Sequence, residues 1–205
     1  PSVGTLGSVT TICSDKTGTL TQNRMHAELL LAHGVRWVAG DPLPGPAHAE
    51  ALRAAALCND ATLQAENKDG QSGSQWLGDP TETALALAAH AGGLNKAQLD
   101  ATCPRVQEQP FDSDRKRMTT FHRDARGFVA YTKGAPESVL PRCIAGPGRD
   151  EALATAQEWA AQGLRVLAVA QREGRLHADH GRDIAPFYAC RGCDRCGSGA
   201  CRGGE

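Results

Sequence analysis

A carboxylate is followed by a base and a run of small polar residues near the start of the sequence. Asp15 and Lys16 stand in the stretch TTICSDKTGTLTQNRM, and Thr17, Gly18 and Thr19 come next. A carboxylate can act as a nucleophile towards phosphorus and form an acyl phosphate. Because Asp15 and a phosphoryl group are both anionic, a cation has to lie between them, and Lys16 and a Mg²⁺ ion would serve. These residues therefore predict phosphoryl transfer.

The residues before Asp15 indicate the element that would hold it. SVTTICS, residues 8–14, is short and rich in β-branched side chains, and it leads into a polar loop, which is typical of a buried strand. A strand of this kind would present the carboxylate from a rigid sheet. The small loop residues would leave backbone N–H groups free to face phosphate oxygens.

The middle of the chain alternates between helical and extended patterns. Asp79 can cap a helix, Pro80 fits its first turn, Glu82 follows the cap by three positions, and Gly92 ends the pattern. The other predicted elements are a helix over 48–59, a polar loop over 60–75, a strand over 105–111, a hairpin over 117–134 that turns at 124–127, a short helix over 136–143, a helix over 149–163 and a strand over 164–171. This order favours an α+β fold, with an antiparallel sheet flanked by helices.

Composition limits the class of protein. Of the 205 residues, 40% are hydrophobic and the formal net charge is -1, so a core can form and no overall field favours nucleic acid or an anionic membrane. We therefore expect no nucleic-acid partner. No apolar run approaches the roughly 18 residues that span a bilayer. The chain begins at Pro1, so we expect a fragment of a longer protein that is soluble by itself.

The eight cysteines fall into two groups. Cys13, Cys58, Cys103 and Cys143 stand singly, which is typical of reduced thiols in a cytosolic protein. The others crowd the tail in CRGCDRCGSGAC, where their spacing allows an iron–sulfur or a zinc site. The Arg/Gly/Cys-rich composition favours a reading-frame shift instead, and we expect a disordered, metal-free tail. The seven histidines show no ligand spacing and are expected at the surface.

The stretch DKTGTLTQNRM resembles the phosphorylation loop of P-type cation-transporting ATPases. Residues 15–21 match that family's signature without a departure, and the continuation QNRM resembles the type II, calcium-pump-like branch. The resemblance implies that Asp15 accepts the phosphate with Lys16 beside it. It also implies a Mg²⁺ site that uses Asp15 and the backbone carbonyl of Thr17.

Further stretches resemble the nucleotide-binding motifs of the same family, in the expected order. They are GDPTETAL, PFDSDRKRMTT, YTKGAPE and GLRVLAVA. The resemblance implies five nucleotide-binding residues: Glu82 facing the adenine, Phe111 stacked on it, Lys116 lining the pocket, Lys133 at its deep end and Arg165 reaching the phosphates. The residue types agree, because an aromatic face suits a purine and cationic side chains suit a triphosphate. Gly134 would let the backbone approach the ligand.

The resemblance also implies a division of the chain. Residues 1–27 would be the N-terminal piece of the phosphorylation domain, with the first strand of an incomplete haloacid-dehalogenase-like α/β fold. Residues 28–172 would be the nucleotide-binding domain, and 173–205 a divergent tail. The family's distal Gly-Asp-Gly-x-Asn-Asp motif, which supplies Mg²⁺ carboxylates, is missing from this sequence.

The implied parent protein is a membrane pump that hydrolyses ATP through an aspartyl phosphate. We expect its transmembrane, actuator and remaining phosphorylation domains to be the partners of this chain, which would be a cytoplasmic part. This chain alone is expected to bind ATP without turning it over. Calcium is the first expectation for the transported ion, on branch resemblance alone.

Two other classes of protein remain as alternatives. A soluble phosphatase of the haloacid dehalogenase type also has a strand that ends in Asp. Such enzymes usually carry a second Asp two places on, where this sequence has Thr17. A non-catalytic nucleotide-binding module would bind ATP without turnover.

Overall fold

The computed structural model describes residues 25–64, 75–125 and 127–174. The strand predicted over 8–14, the phosphorylation loop and the cysteine-rich tail lie outside these ranges. Within them, no helix is both long enough and apolar enough to cross a membrane.

Helices and short strands alternate along the described residues. In chain order the elements are β1 (Leu29–Ala32), β2 (Val35–Val38), α1 (Pro46–Leu57), β3 (Thr62–Gln64), β4 (Gln75–Leu77), α2 (Pro80–Ala91), α3 (Lys96–Thr102), β5 (Arg105–Asp112), β6 (Arg117–Asp124), β7 (Gly127–Gly134), α4 (Pro136–Val139), a 3₁₀ turn (Leu140–Arg142), α5 (Pro147–Ala161) and β8 (Ala168–Gly174). The predicted combination of helices with antiparallel sheets is confirmed.

A four-stranded antiparallel sheet in the order β5-β6-β7-β8 forms the centre of the fold. The hairpin predicted over 117–134 is its β6–β7 pair, with Asp124 opposite Gly127. Pairing across all four strands puts Asp112, Arg117, Gly134 and Ala168 in one line. We call this line the terminal row, because it lies where β5 and β7 end and where β6 and β8 begin.

Helices cover both faces of this sheet. Met118 and Tyr131 pack with Leu57 of α1 in one buried cluster, and Val169 packs against the same cluster. Its neighbour Ala168 belongs instead to a second cluster, with residues of α4 and the 3₁₀ turn. Successive strand residues point to opposite faces, so α1 lies on one face of the sheet and α4 on the other.

Helix α2 begins as its sequence predicts. The Asp79 carboxylate accepts a hydrogen bond from the Thr81 N–H at 2.8 Å, Pro80 opens the first turn, and Gly92 follows the last residue. The Glu82 carboxylate, however, does not return to the cap. It contacts Lys133 and Asp60, so the local capping pattern is overridden by tertiary contacts.

Several elements differ from their predictions. Part of the polar loop predicted over 60–75 is strand, because β3 and β4 pair antiparallel. The β1–β2 hairpin and α3 were not predicted. The strand predicted over 164–171 begins only at Ala168, since Gly163, at a φ of 84°, ends α5 and an extended connection follows before pairing starts.

The prediction that all histidines lie at the surface is wrong. His122 is fully buried, with Nδ1 2.9 Å from the Cys103 carbonyl oxygen and Nε2 2.9 Å from Thr120 Oγ1. His48 is also buried, with Nε2 3.0 Å from the Val35 carbonyl oxygen. Both nitrogens of His122 and the Nε2 of His48 thus have partners inside the protein, which is the usual condition for burying polar atoms. Cys58, Cys103 and Cys143 are free thiols, as predicted.

Candidate functional site

The terminal row brings together sequence positions that lie far apart. Phe111, Lys116 and Lys133 each stand one residue before a member of the row, and Arg165 stands three residues before Ala168. Antiparallel register therefore gathers three of the five predicted nucleotide-binding residues at one end of the sheet, and Arg165 lies in the unpaired connection that leads into β8. The fifth, Glu82, reaches this end from the first turn of α2 through its contact with Lys133.

Glu82 and Lys133 form an ion pair inside this site. Lys133 Nζ lies 2.7 Å from Glu82 Oε1, and the two side chains are only 8% and 16% exposed, respectively. Lys133 extends from the same face of β7 as Tyr131, which packs against α1, while α1 packs against α2. The sheet and the α1–α2 helix pair thus bring an ammonium and a carboxylate together where both are largely shielded from solvent.

Both charged groups of this pair retain hydrogen-bonding capacity. The second oxygen of Glu82, Oε2, accepts a hydrogen bond from the Asp60 N–H at 3.2 Å. A carboxylate offers about four lone-pair sites and an ammonium three donors. A ligand can therefore approach both Glu82 and Lys133 without separating them.

Two residues that follow α1 support Glu82, and sequence reasoning missed both. Asn59, only 1% exposed, donates from Nδ2 to the Glu82 carbonyl oxygen at 2.9 Å. Asp60 supplies the N–H that contacts Glu82 Oε2. The signal available in the sequence was an amide at the last position of the helix predicted over 48–59 and an acid directly after it, which on its own predicts only a helix end.

Phe111 and Lys116 occupy the solvent-facing part of the site. Phe111 is 64% exposed, an unusual position for a large aromatic ring and one that leaves a face open to stacking. Lys116 Nζ lies 3.3 Å from Glu137 Oε1, and both side chains are more than half exposed. This outer ion pair also helps to lower the pKa of Glu137, after the larger effect of a backbone hydrogen bond at the start of α4.

The backbone is closely packed between Lys116 and Gly134. Lys116 adopts a left-handed conformation with a φ of 51°, and its carbonyl oxygen accepts the Ala135 N–H at 2.9 Å. A Cβ at position 134 would overlap that carbonyl oxygen and Arg117. The close approach of β6 and β7 therefore requires glycine at position 134. This requirement is separate from the approach of the backbone to a ligand that the sequence suggested.

Arg165 lies beside the first turn of α2. Met25 Sδ lies 3.6 Å from Thr81 Oγ1 and 4.0 Å from Arg165 Nη1, so the chain that follows the predicted phosphorylation loop passes between them. Burial opposes the ionisation of Asp79, but hydrogen bonds from Thr81 and the positive charge of Arg165 outweigh it and lower the pKa of Asp79.

The predicted catalytic and metal-binding residues Asp15, Lys16 and Thr17 lie outside the described residues. Within the described ranges, no cluster of His, Cys, Asp and Glu has the arrangement to hold a metal ion.

A cavity of about 560 Å³ in the described part of the fold is lined by one member of the terminal row, Ala168. Its walls come mainly from the β1–β2 hairpin, α1, α5 and the β8 region, and they are largely apolar. None of the five predicted nucleotide-binding residues lines it. We therefore place the candidate site at the terminal row and not in this cavity.

The family is established by comparison with known proteins. Residues 47–184 match the model of the family described as P-type ATPase, cytoplasmic domain N. The chain belongs to this family. The match continues past residue 172, where the sequence predicted that the nucleotide-binding domain ends; that boundary and the one at residue 27 stay predictions.

Curated relatives point in the same direction. The chain is 37% identical to cation-transporting ATPase pma1 of Synechocystis over 88% of its own length. It is 37% identical to probable cation-transporting ATPase F of Mycobacterium bovis and 35% identical to calcium-transporting ATPase 1 of Bacillus cereus, over 85% and 84% of its length. It spans only 23%, 22% and 20% of these three relatives, respectively.

Proposed function

We propose that this chain is the ATP-binding and phosphorylation-loop part of a P-type cation pump. The observation that carries the proposal is the Glu82–Lys133 ion pair, held at the end of the sheet where Phe111 exposes its ring. The names of the relatives, which include cation- and calcium-transporting ATPases, support cation transport by the whole protein.

The ion pair suits the hydrogen-bonding edge of adenine. Glu82 offers acceptors and Lys133 offers donors from atoms 2.7 Å apart. Adenine presents an amino donor at N6 and, beside it, an acceptor at N1, so the two patterns are complementary. Guanine held in the same orientation would put its acceptor O6 against the Glu82 carboxylate and its N1–H against the Lys133 ammonium. The pair therefore favours ATP over GTP as long as stacking on Phe111 holds the base in this orientation.

The outer residues complete the ligand site. The open face of Phe111 stacks on the base, an interaction worth about 1–3 kcal/mol per base in other proteins. Lys116 and Arg165 supply positive charge for the phosphates, and the exposed Lys116–Glu137 pair can exchange partners at low cost because water already screens it.

Asp15 is the proposed phosphate acceptor. One Asp15 oxygen forms a bond to the γ-phosphorus while the bond from that phosphorus to the ADP oxygen breaks, and ADP leaves. The Asp15 carboxylate and the Thr17 carbonyl are hard oxygen donors of the kind that suit Mg²⁺, which neutralises phosphate charge when it is bound. Lys16 follows the nucleophile in the sequence, and its ammonium would offset the same charge.

Calorimetric titration of the chain with ATP and with GTP tests nucleotide binding. We expect ATP to bind and GTP to bind at least tenfold more weakly, since the wrong hydrogen-bonding edge costs about 1–3 kcal/mol. Failure to bind ATP would contradict the proposed nucleotide site. Equal affinity for the two nucleotides would show that Glu82 and Lys133 do not hold the base in the orientation proposed for adenine.

Labelling with γ-³²P-ATP tests the phosphorylation step. This chain lacks the distal Gly-Asp-Gly-x-Asn-Asp motif, and positioning supplies most of phosphoryl-transfer catalysis. We expect no acid-stable, hydroxylamine-sensitive label on the chain alone. The full-length pump takes up that label and loses it on Asp15→Asn. A label on the chain by itself would show that the missing motif is dispensable.

A further inference from the structure

Asn59 is a buried amide that bridges two elements of the fold. It lies two residues after the last residue of α1 and is 1% exposed. Its Nδ2 donates to the Glu82 carbonyl oxygen at 2.9 Å, and its Oδ1 accepts the Ala61 N–H at 2.7 Å. One side chain thus ties the segment after α1 to the first turn of α2.

Arg105, at the start of β5, holds the same segment from the other side. Its Nη1 lies 2.7 Å from Asp60 Oδ1 and 2.7 Å from Glu108 Oε2. Its Nη2 donates to the carbonyl oxygens of Leu57 and Asn59, at 3.3 Å and 2.9 Å. The guanidinium therefore binds carbonyls that the end of α1 leaves without helical partners.

These contacts form a chain of support that ends on the Glu82 carboxylate. Arg105 fixes the backbone of residues 57–60, and within that segment the Asp60 N–H donates to Glu82 Oε2. Asn59 holds the main chain of Glu82 itself. The remaining carboxylate oxygen, Oε1, is then directed at Lys133. Neither Arg105 nor Asn59 has a hydrogen bond to Lys133 among these described contacts.

We propose that Asn59 and Arg105 are positioning residues for base recognition, acting through Glu82. The inference rests on the proposed nucleotide site. Because β5 carries Arg105 at its first residue and Phe111 near its last, Arg105 also connects the strand that bears the stacking ring to the turn that orients the carboxylate. Base selectivity then depends on the hydrogen bonds of Asn59 and Arg105, although neither side chain contacts the nucleotide.

The test compares Arg105→Lys with Asn59→Asp, and uses Arg36→Lys as the matched control. Lysine keeps the charge of Arg105 but cannot reach two carboxylates and two carbonyls at once. Asn59→Asp keeps the shape and replaces the Nδ2 donor with an acceptor that opposes the Glu82 carbonyl. Arg36 pairs with Glu158, an exposed contact outside this chain of support.

Two quantities are measured for each variant. One is the ratio of the GTP and ATP dissociation constants. The other is the hydrogen-exchange rate of the Asp60 amide without nucleotide, which reports its bond to Glu82. We expect Arg105→Lys to lower the ratio by about fivefold, the loss expected when one hydrogen bond to the base is no longer held in place. The Asp60 amide should exchange faster, and Arg36→Lys should change neither quantity.

The outcomes separate this inference from the proposed function. A wild-type chain that fails to bind ATP would overturn the proposed function. A wild-type chain that binds ATP and GTP equally would overturn the inference and leave nucleotide binding intact. A wild-type preference that Arg105→Lys leaves intact, or a ratio that falls while Asp60 exchange stays unchanged, would overturn the inference alone. If Asn59→Asp does not melt cooperatively, Arg105→Lys decides, since Arg105 is partly exposed and its replacement keeps the charge.

Discussion

Two lysine–glutamate ion pairs at the same end of the sheet have the same chemical groups but differ in distance and in exposure to water. The inner pair, Glu82–Lys133, has an N–O distance of 2.7 Å and side chains that are 16% and 8% exposed. The outer pair, Lys116–Glu137, has a distance of 3.3 Å and side chains that are 62% exposed for Glu137 and 58% for Lys116. The inner pair is fixed by packing from two elements, whereas the outer pair joins a turn to a short helix in water.

The difference indicates how one site combines selectivity with access. Charges that have lost their water need a partner in place, so the inner pair keeps its geometry before any ligand arrives. An exposed pair contributes about 0–1 kcal/mol, so Lys116 can leave Glu137 for a phosphate at little cost. We therefore expect the inner pair to read the base and the outer pair to adapt to the phosphates.

Removing the inner lysine should have the largest effect. Lys133→Met leaves Glu82 charged and poorly hydrated, so we expect the free energy of unfolding to fall by about 3 kcal/mol. Urea denaturation measures this change. Adding Glu82→Gln to Lys133→Met should restore a large part of the loss. A single variant as stable as the wild type would mean that the inner pair is hydrated like the outer one.

Removing the exposed ring should separate affinity from stability. Phe111→Ala should weaken ATP binding by about 1–3 kcal/mol, because one stacking face is lost. Its 64% exposure predicts little change in thermal stability. Calorimetry and thermal melts on the same sample measure the two effects. Unchanged ATP affinity would remove Phe111 from the site, and a large fall in stability would show that the ring supports the fold.

Lowering the pH should reduce the free energy of unfolding through the buried side chain of His122. Burial lowers the pKa of His122, against the opposing effect of its hydrogen bond to the Cys103 carbonyl. The unfolded chain therefore binds a proton more readily, so this contribution to stability is complete above about pH 6.5 and declines as the pH falls towards the folded pKa.

We expect the stability of the wild type to fall by about 1 kcal/mol more than that of His122→Asn between pH 7.5 and pH 5.5. Denaturant unfolding at the two pH values measures the difference. Comparing slopes removes the constant cost of the substitution itself. Equal slopes in the two proteins would show that His122 does not titrate differently on folding.

Removing the outer lysine should have the smallest effect on stability. Lys116→Ala should change the free energy of unfolding by no more than about 0.5 kcal/mol, since it is an exposed residue. It should weaken the binding of ATP but not that of adenosine, because only ATP carries phosphates. Lys96→Ala, which removes the lysine from its pair with Asp100 on α3, is the control. Equal losses for ATP and adenosine would place Lys116 at the base.

Local sequence signals correctly predicted the elements whose boundaries are set by neighbouring residues. The Asp79–Pro80 start of α2, its end at Gly92 and the β6–β7 hairpin depend on neighbours within a few positions. Signals were weaker for β3 and β4, which are only three residues each and border a polar stretch, and for the short helix α3. Their stability comes from strand pairing and packing with residues that lie outside the few sequence positions on which a local prediction depends.

The candidate site was predictable by residue type but not by arrangement. Motif resemblance named Glu82 and Lys133, which lie 51 positions apart in the sequence. Their pairing depends on antiparallel register and on the packing of α1 against α2. Asn59 was missed because its amide donates to a backbone carbonyl, which leaves no complementary residue type in the sequence. Arg105 was missed because its carboxylate partner Asp60 lies 45 positions away along the chain. The burial of His122 was missed for the same reason as Asn59, since its Nδ1 partner is the Cys103 carbonyl.

The most direct test of the account is the set of nuclear Overhauser effects between bound ATP and the chain. If the inner pair reads the base while Phe111 stacks on it, adenine H2 should show effects to the ε-methylene protons of Lys133, and the adenine protons should show effects to the ring of Phe111. Glu82→Gln should weaken ATP binding, and Phe111→Ala should remove the ring contacts alone. Bound ATP whose adenine protons show no effect to either side chain would place the base elsewhere and contradict the account.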